Sequence, residues 1–194
     1  MSGAVVSIQE RAARSRLGLW LFFVTEVFTF STFLVLRFSL WGNTRPELDQ
    51  NIGLVATAVL LISSWSMNRG ELAIKYGDKR TFTTSLIITA LLGIVFLAGI
   101  VVFEWGAVFG LSTGHYLPTD GVYGSVLFLM TGMHALHVLI GIIFIIKTLI
   151  DGNNGKFTPE SHFGVEATAL FWHFVDLVWV FFYPALYLIG TVHH

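Results

Sequence analysis

Residues 170–179 read LFWHFVDLVW, so His173 and Asp176 stand three positions apart in an otherwise apolar run. On a helix that spacing puts both on one face. The string MHALH repeats the pattern with His134 and His137. Glu166 precedes His173 by seven residues and falls on the same helical stripe, two turns away. Glu26 in TEVFTF, Glu104 in FEWGA and Arg37 complete the ionisable groups embedded in apolar sequence.

Four kinds of chemistry suit these residues. Two His on one helix with a His and an Asp on another form a conceivable ligand set for a metal or haem. Di-iron carboxylate bundles, however, use paired Glu-x-x-His motifs, and none is present. A proton relay is the second reading, since intramembrane carboxylates and imidazoles often serve one. Five spans give no even inverted repeat and no broken-helix pair, which weighs against a stand-alone proton or ion transporter. Acid–base catalysis is the third, but HExxH does not occur, and the one string that fits G-x-S-x-G, GLSTG at 110–114, falls in a linker between apolar segments. The fourth reading is packing: polar pairs satisfy one another and tie helices together, each bond contributing about 0.6–2 kcal/mol in a membrane.

The composition says where these groups must sit. Only 12% of the 194 residues are charged and 55% are apolar, with a mean hydropathy of +0.75. A soluble domain carries about 25% charged residues. The chain therefore reads as an integral membrane protein. Its net charge of −1 provides no basic surface for nucleic acid. The absence of cysteine excludes disulfides, thiolate metal sites and a cysteine nucleophile. No cleavage motif closes the first apolar run, which reads as a retained span.

Five apolar segments predict an all-α, single-domain bundle over residues 1–194. They run roughly Leu17–Trp41, Ile52–Met67, Phe82–Phe109, Gly121–Ile150 and Gly164–Gly190. All but the second, the shortest, exceed the roughly 20 residues a helix needs to cross a bilayer, and the alternation of a membrane β-barrel is absent. The basic residues predict the orientation. With the N-terminus inside, the inner segments hold Arg11, Arg14, Arg16, Arg69, Lys75, Lys79, Arg80, Lys147 and Lys156, whereas the outer ones hold Arg45. Arg37 is expected to snorkel to the outer surface. That bias puts the N-terminus in the cytoplasm and the C-terminus outside, with His193 and His194 in a frayed tail.

At about 1.5 Å per residue, Glu26 and His173 lie roughly 14 Å from the inner helix ends, Asp176 about 18 Å and His137 about 20 Å. One mid-membrane layer is expected to hold all four. Glu166 belongs near the inner surface and Glu104 near the outer. Small residues Gly132, Ala135 and Gly141, with Ala167 and Ala169, are expected to bring the fourth and fifth helices together along a polar seam. Trp20, Trp41 and Trp105 suit an interfacial belt. Asp120 is the expected cap of the fourth helix.

Several of these strings resemble one family. DGVYGSVLFLMTGMHALHVLIG (120–141), HFGVEA (162–167), FWHFVDLVWVFFY (171–183), TEVFTF (25–30) and FEWGA (103–107) are similar, in the same order, to subunit III of haem–copper terminal oxidases, the cytochrome c oxidase subunit III family. The resemblance runs from about Leu19 to Gly190. The mitochondrial form has seven helices, and this chain resembles the last five, as in short bacterial versions, which implies a bacterial plasma membrane.

The resemblance implies a core subunit with no redox centre or metal of its own. It implies contact with subunit I, which carries haem and copper, and a place in a complex with subunit II and, in some complexes, subunit IV. It further implies support of proton uptake and turnover stability, and bound phospholipid. By motif, Glu26 is the intramembrane carboxylate expected to face subunit I. His134, His137, Glu166, His173 and Asp176 are expected to form the buried polar seam, and Glu104 to be an outer-end carboxylate. Subunit III of a quinol oxidase and an accessory chain of a nitric oxide reductase share enough of the pattern to stand as alternatives.

Overall fold

The computed structural model describes residues 8–110 and 116–192, with side chains from Arg14 onward. His193 and His194 lie outside the described residues. Among the described residues, five helices are long and apolar enough to cross a membrane. They are α1 (Ile8–Trp41), α2 (Gln50–Lys75), α3 (Lys79–Gly99), α4 (Gly121–Asn153) and α5 (Phe163–Tyr183). Two ends change winding: α3 continues as a π-helical turn, Ile100–Glu104, and α5 as another, Pro184–Leu188. A 3-10 turn, Gly106–Phe109, follows the first.

Local chemistry sets the helix ends. The Asp49 carboxylate accepts the backbone N–H groups of Asn51 and Ile52, which α2 itself cannot satisfy. Asp78 does the same for Thr81 at the start of α3. Between α2 and α3 only Tyr76, Gly77 and Asp78 intervene. Gly77 takes φ +75°, and the Gly77 and Asp78 amides turn back onto Ile74 and Ala73, closing the end of α2. The expected cap of α4 is not made. Asp120 instead accepts from the Leu117 amide, organising the preceding turn.

Helix α2 runs beyond its apolar stretch to Lys75, and the added turns carry an exposed Glu71–Lys75 ion pair at i,i+4. Helices α2 and α3 form a tight antiparallel hairpin, α4 packs on α3, and α5 lies against both α2 and α4. Helix α1 rests mainly on α4 and α5. It is the least buried of the five spans and α5 the most. A parallel pair of two-residue strands, β1 (Thr44–Arg45) and β2 (Thr191–Val192), ties the end of α1 to the end of α5.

Glycines in the core serve as sockets for rings. A methyl at Gly93 would come within 2.6 Å of Trp172, and one at Gly141 within 2.8 Å of the same indole. Trp172 is thus clamped between α3 and α4, and its Nε1–H donates to Ser63 on α2 at 3.0 Å. Gly53 accommodates Tyr183 and Tyr187 in the same way. Two tryptophans assigned to the interfacial belt turn their indole N–H groups into the bundle, Trp41 buried and Trp105 half-buried. Trp41 is buried and donates to the Val122 carbonyl, and Trp105 donates to Thr131. In both cases an indole N–H finds a partner on a neighbouring helix.

Candidate functional site

The mid-membrane polar residues come together in separate pairs. Glu26 of α1 and His137 of α4 meet at 3.1 Å between Oε2 and Nε2. His137 Nδ1 lies 2.8 Å from the Met133 carbonyl, one turn back on α4. A carbonyl only accepts, so Nδ1 carries a hydrogen. In the neutral ring Nε2 is then an acceptor, as is a carboxylate. The 3.1 Å contact therefore holds one further proton, either on Glu26 or on His137. Glu26 retains 17% of its side-chain exposure and His137 10%, so the pair is mostly buried where α1 meets α4. Phe30 packs edge-on to the imidazole at 4.9 Å, and Phe171 stacks beside it.

His134 is fully buried and makes no part of a seam. Its ring lies among Phe96, Trp179 and Phe182, with centroids 5.6, 5.0 and 6.3 Å away. Neither ring nitrogen meets a hydrogen-bond partner among the described residues. The i,i+3 spacing of His134 and His137 holds, yet a step of three residues turns the helix far enough to aim one at α5 and the other at α1.

His173 and Asp176 answer to α2 rather than α4. His173 Nδ1 and the Ser64 hydroxyl lie 3.2 Å apart, and Asp176 lies beside the same serine, while its Oδ1 is buried with no hydrogen-bond partner among the described residues. The seam expected between α4 and α5 is therefore corrected: the contact of those helices carries the Thr148–Thr168 hydroxyl pair at 2.8 Å and aromatic packing. Glu166 pairs with Arg16 of α1 at 3.1 Å, at the N-terminal face of the bundle. At the opposite face Glu104, in the π-helical turn of α3, accepts the Tyr187 hydroxyl from the π-helical turn of α5. Glu104 is only 6% exposed. π-Helical turns often mark functional sites, and here two of them meet through one hydrogen bond.

Arg37 does not snorkel. It is fully buried and donates to four carbonyls: Ala185 at 2.6 Å, Gly42 at 3.0 Å, Thr44 at 3.4 Å, and Ile189. The guanidinium also lies over the rings of Phe38 and Trp41. Its five donors suit a cluster of chain-end carbonyls, which an ammonium could not span. Sequence reasoning missed this clamp, and with it Ser64 and Tyr187. A signal existed for Arg37, since it stands one turn before the Trp41-Gly42 helix end, where unpaired carbonyls gather.

No group of three or more His, Cys, Asp or Glu among the described residues comes together as a metal site. The arrangement offers instead a proton-holding pair at mid-depth and a set of separate interhelical ties. A family model described as cytochrome c oxidase subunit III matches residues 8–191. The chain is 35% identical to cytochrome c oxidase subunit 3 of Oryctolagus cuniculus in an alignment that covers 91% of this chain and 70% of the relative. It is 36% identical to the protein of that name from Rattus norvegicus, and 36% to that from Cyprinus carpio, with the same coverage. The chain belongs to the cytochrome c oxidase subunit III family.

Proposed function

We propose that the chain works as subunit III of a proton-pumping haem–copper oxidase, a membrane subunit that supports the subunit I carrying haem and copper. The family match across residues 8–191 supports the role. The single observation that carries the proposal further is the Glu26–His137 pair. It places a proton at mid-span on α1, the helix with the least cover from the rest of the chain. Exposed Trp20, Leu21, Val24 and Phe28 surround Glu26 on that helix. Subunit I is the partner proposed for this face, with Glu26 aiding proton uptake and slowing loss of activity during turnover. The excess of basic residues at the α2–α3 and α4–α5 connections supports an N-terminus on the cytoplasmic side.

The test is purification of the tagged chain from its native membrane. Haem and copper absorbance in the purified assembly, with oxygen consumption supported by cytochrome c, is the expected result. Recovery of the chain alone, or with partners lacking copper and haem, would refute the proposal. Turnover with a quinol instead of cytochrome c would assign the same subunit role to a quinol oxidase.

A further inference from the structure

Asp176 of α5 is an ionisable group deep in the bundle that takes no part in the Glu26–His137 pair. It is 6% exposed, and its Oδ1 meets no hydrogen-bond partner among the described residues. The carboxyl lies beside Ser64 of α2, whose hydroxyl stands 3.2 Å from His173 Nδ1. Three groups that can carry a proton thus lie in series where α2 meets α5. His173 is half-buried, so its ring reaches the edge of that contact. Toward the N-terminal face of the bundle, exposed Asn68 follows Ser64 by one turn of α2. Glu71 follows by two turns, about 10 Å, and stands near enough to His173 for its charge to act on the ring.

What each group can give and take sets the chemistry of the series. An ionised carboxylate with one oxygen bare of donors is costly in a hydrocarbon surrounding, and a proton removes that cost. A serine hydroxyl donates and accepts at once, and an imidazole carries hydrogen on either nitrogen. A proton taken from water at His173 Nε2 makes the ring cationic. The Nδ1 hydrogen then passes to Ser64 Oγ as the hydroxyl hydrogen moves to the Asp176 carboxylate. One proton has moved inward, no electrons have changed hands, and the reverse shift returns it. The charged groups along the same stretch of α2 and α5 are Glu71 with Lys75, and Glu166 with Arg16 of α1. Glu26 of α1 is held by His137. On α4, His134 lies in its aromatic nest, and Lys147 and Asp151 line a separate cavity with Leu19 and Phe171.

We propose that Asp176, Ser64 and His173 form a second proton-binding site, in which the Asp176 carboxyl holds one proton and exchanges it with water at the N-terminal face through the Ser64 hydroxyl and the His173 ring. The site lies on the α2 side of α5, whereas Glu26 and His137 join α1 to α4. It is built from this chain alone and does not depend on the oxidase assignment. Glu71 attracts the ring while it is cationic in transit.

The experiment is infrared difference spectroscopy of the full-length protein, in the assembly in which it purifies, on transfer from light to heavy water. A carbonyl band of a protonated carboxyl should be present, shift as its proton is replaced by deuterium, and vanish in Asp176→Asn, an isosteric change. The band should persist in Glu26→Gln, which separates this site from the other pair. Ser64→Ala and His173→Leu should each keep the band but slow its shift by about a hundredfold, the scale of one lost proton-transfer group. Ser64→Thr, which retains a hydroxyl, should restore the rate, a rescue that packing alone does not produce. A spectrum unchanged by Asp176→Asn would overturn the site. An unchanged rate in both Ser64→Ala and His173→Leu would overturn the route through these two side chains.

Discussion

Glu26 Oε2 and His137 Nε2 face each other at 3.1 Å while His137 Nδ1 is committed to the Met133 carbonyl. One proton is thereby confined between two side chains at mid-membrane. Either location leaves the pair with no net charge, which is the arrangement a hydrocarbon surrounding favours.

Glu26→Gln removes the proton-exchanging group while its amide can still donate to Nε2. Stability should change by less than about 1 kcal/mol, the worth of a neutral hydrogen bond. Assembly should persist, and activity or its decay during turnover should change. His137→Leu leaves the carboxyl without its partner and should cost more, about 1–3 kcal/mol. Thermal unfolding in detergent and oxygen-consumption time courses measure both. Failure of Glu26→Gln to assemble would make the pair a structural tie.

The glycine sockets supply an internal comparison. Gly93→Ala and Gly141→Ala each drive a methyl into Trp172, and overpacking of this kind costs about 1–3 kcal/mol. Gly99→Ala meets open space. It should be neutral or gain about 0.5–1 kcal/mol from helix propensity alone. Melting temperatures of the three variants settle the ordering, and equal effects would mean that Trp172 has room to move.

Arg37→Met strips donors from four carbonyls at the ends of α1 and α5. A loss of about 3 kcal/mol or more follows, because the carbonyls are buried together and charged hydrogen bonds contribute about 1.5–3 kcal/mol each. Arg37→Lys should rescue little, since a single ammonium cannot reach all four. The readout is exposure of residues 184–192 to carboxypeptidase. A snorkelling role predicts instead that lysine substitutes fully.

Acid should loosen the α2–α3 connection. The Asp78 carboxyl is held below its ordinary range, first by the Thr81 side-chain hydrogen bond and then by the Thr81 backbone amide. A depressed folded-state value means that the cap stabilises above the unfolded value of about 3.9 and is lost as pH falls through the folded one. Hydrogen exchange at the first amides of α3 should accelerate below about pH 4. Asp78→Asn, which caps without titrating, should abolish that dependence.

Much of the architecture was legible because membrane insertion acts on composition. Any run of about 20 apolar residues must satisfy its backbone internally, so five runs meant five helices. The family strings from TEVFTF to FWHFVDLVWVFFY were likewise readable without coordinates. Helix periodicity correctly put His173 and Asp176 on one face, since both meet Ser64.

What linear spacing could not decide was which helix each face would meet. Helix α5 touches α1, α2 and α4, and its polar residues are shared among them: Glu166 to α1, His173 and Asp176 to α2. Helix α4 likewise sends His137 to α1 and His134 into an aromatic nest. The partner of Arg37 was equally hidden, because backbone carbonyls carry no sequence signature and those of Ala185 and Ile189 arrive from 148 and 152 residues away. Membrane spans are apolar on every side, so a polar residue's own helix says only that it must find a partner. Tertiary packing alone chooses which one.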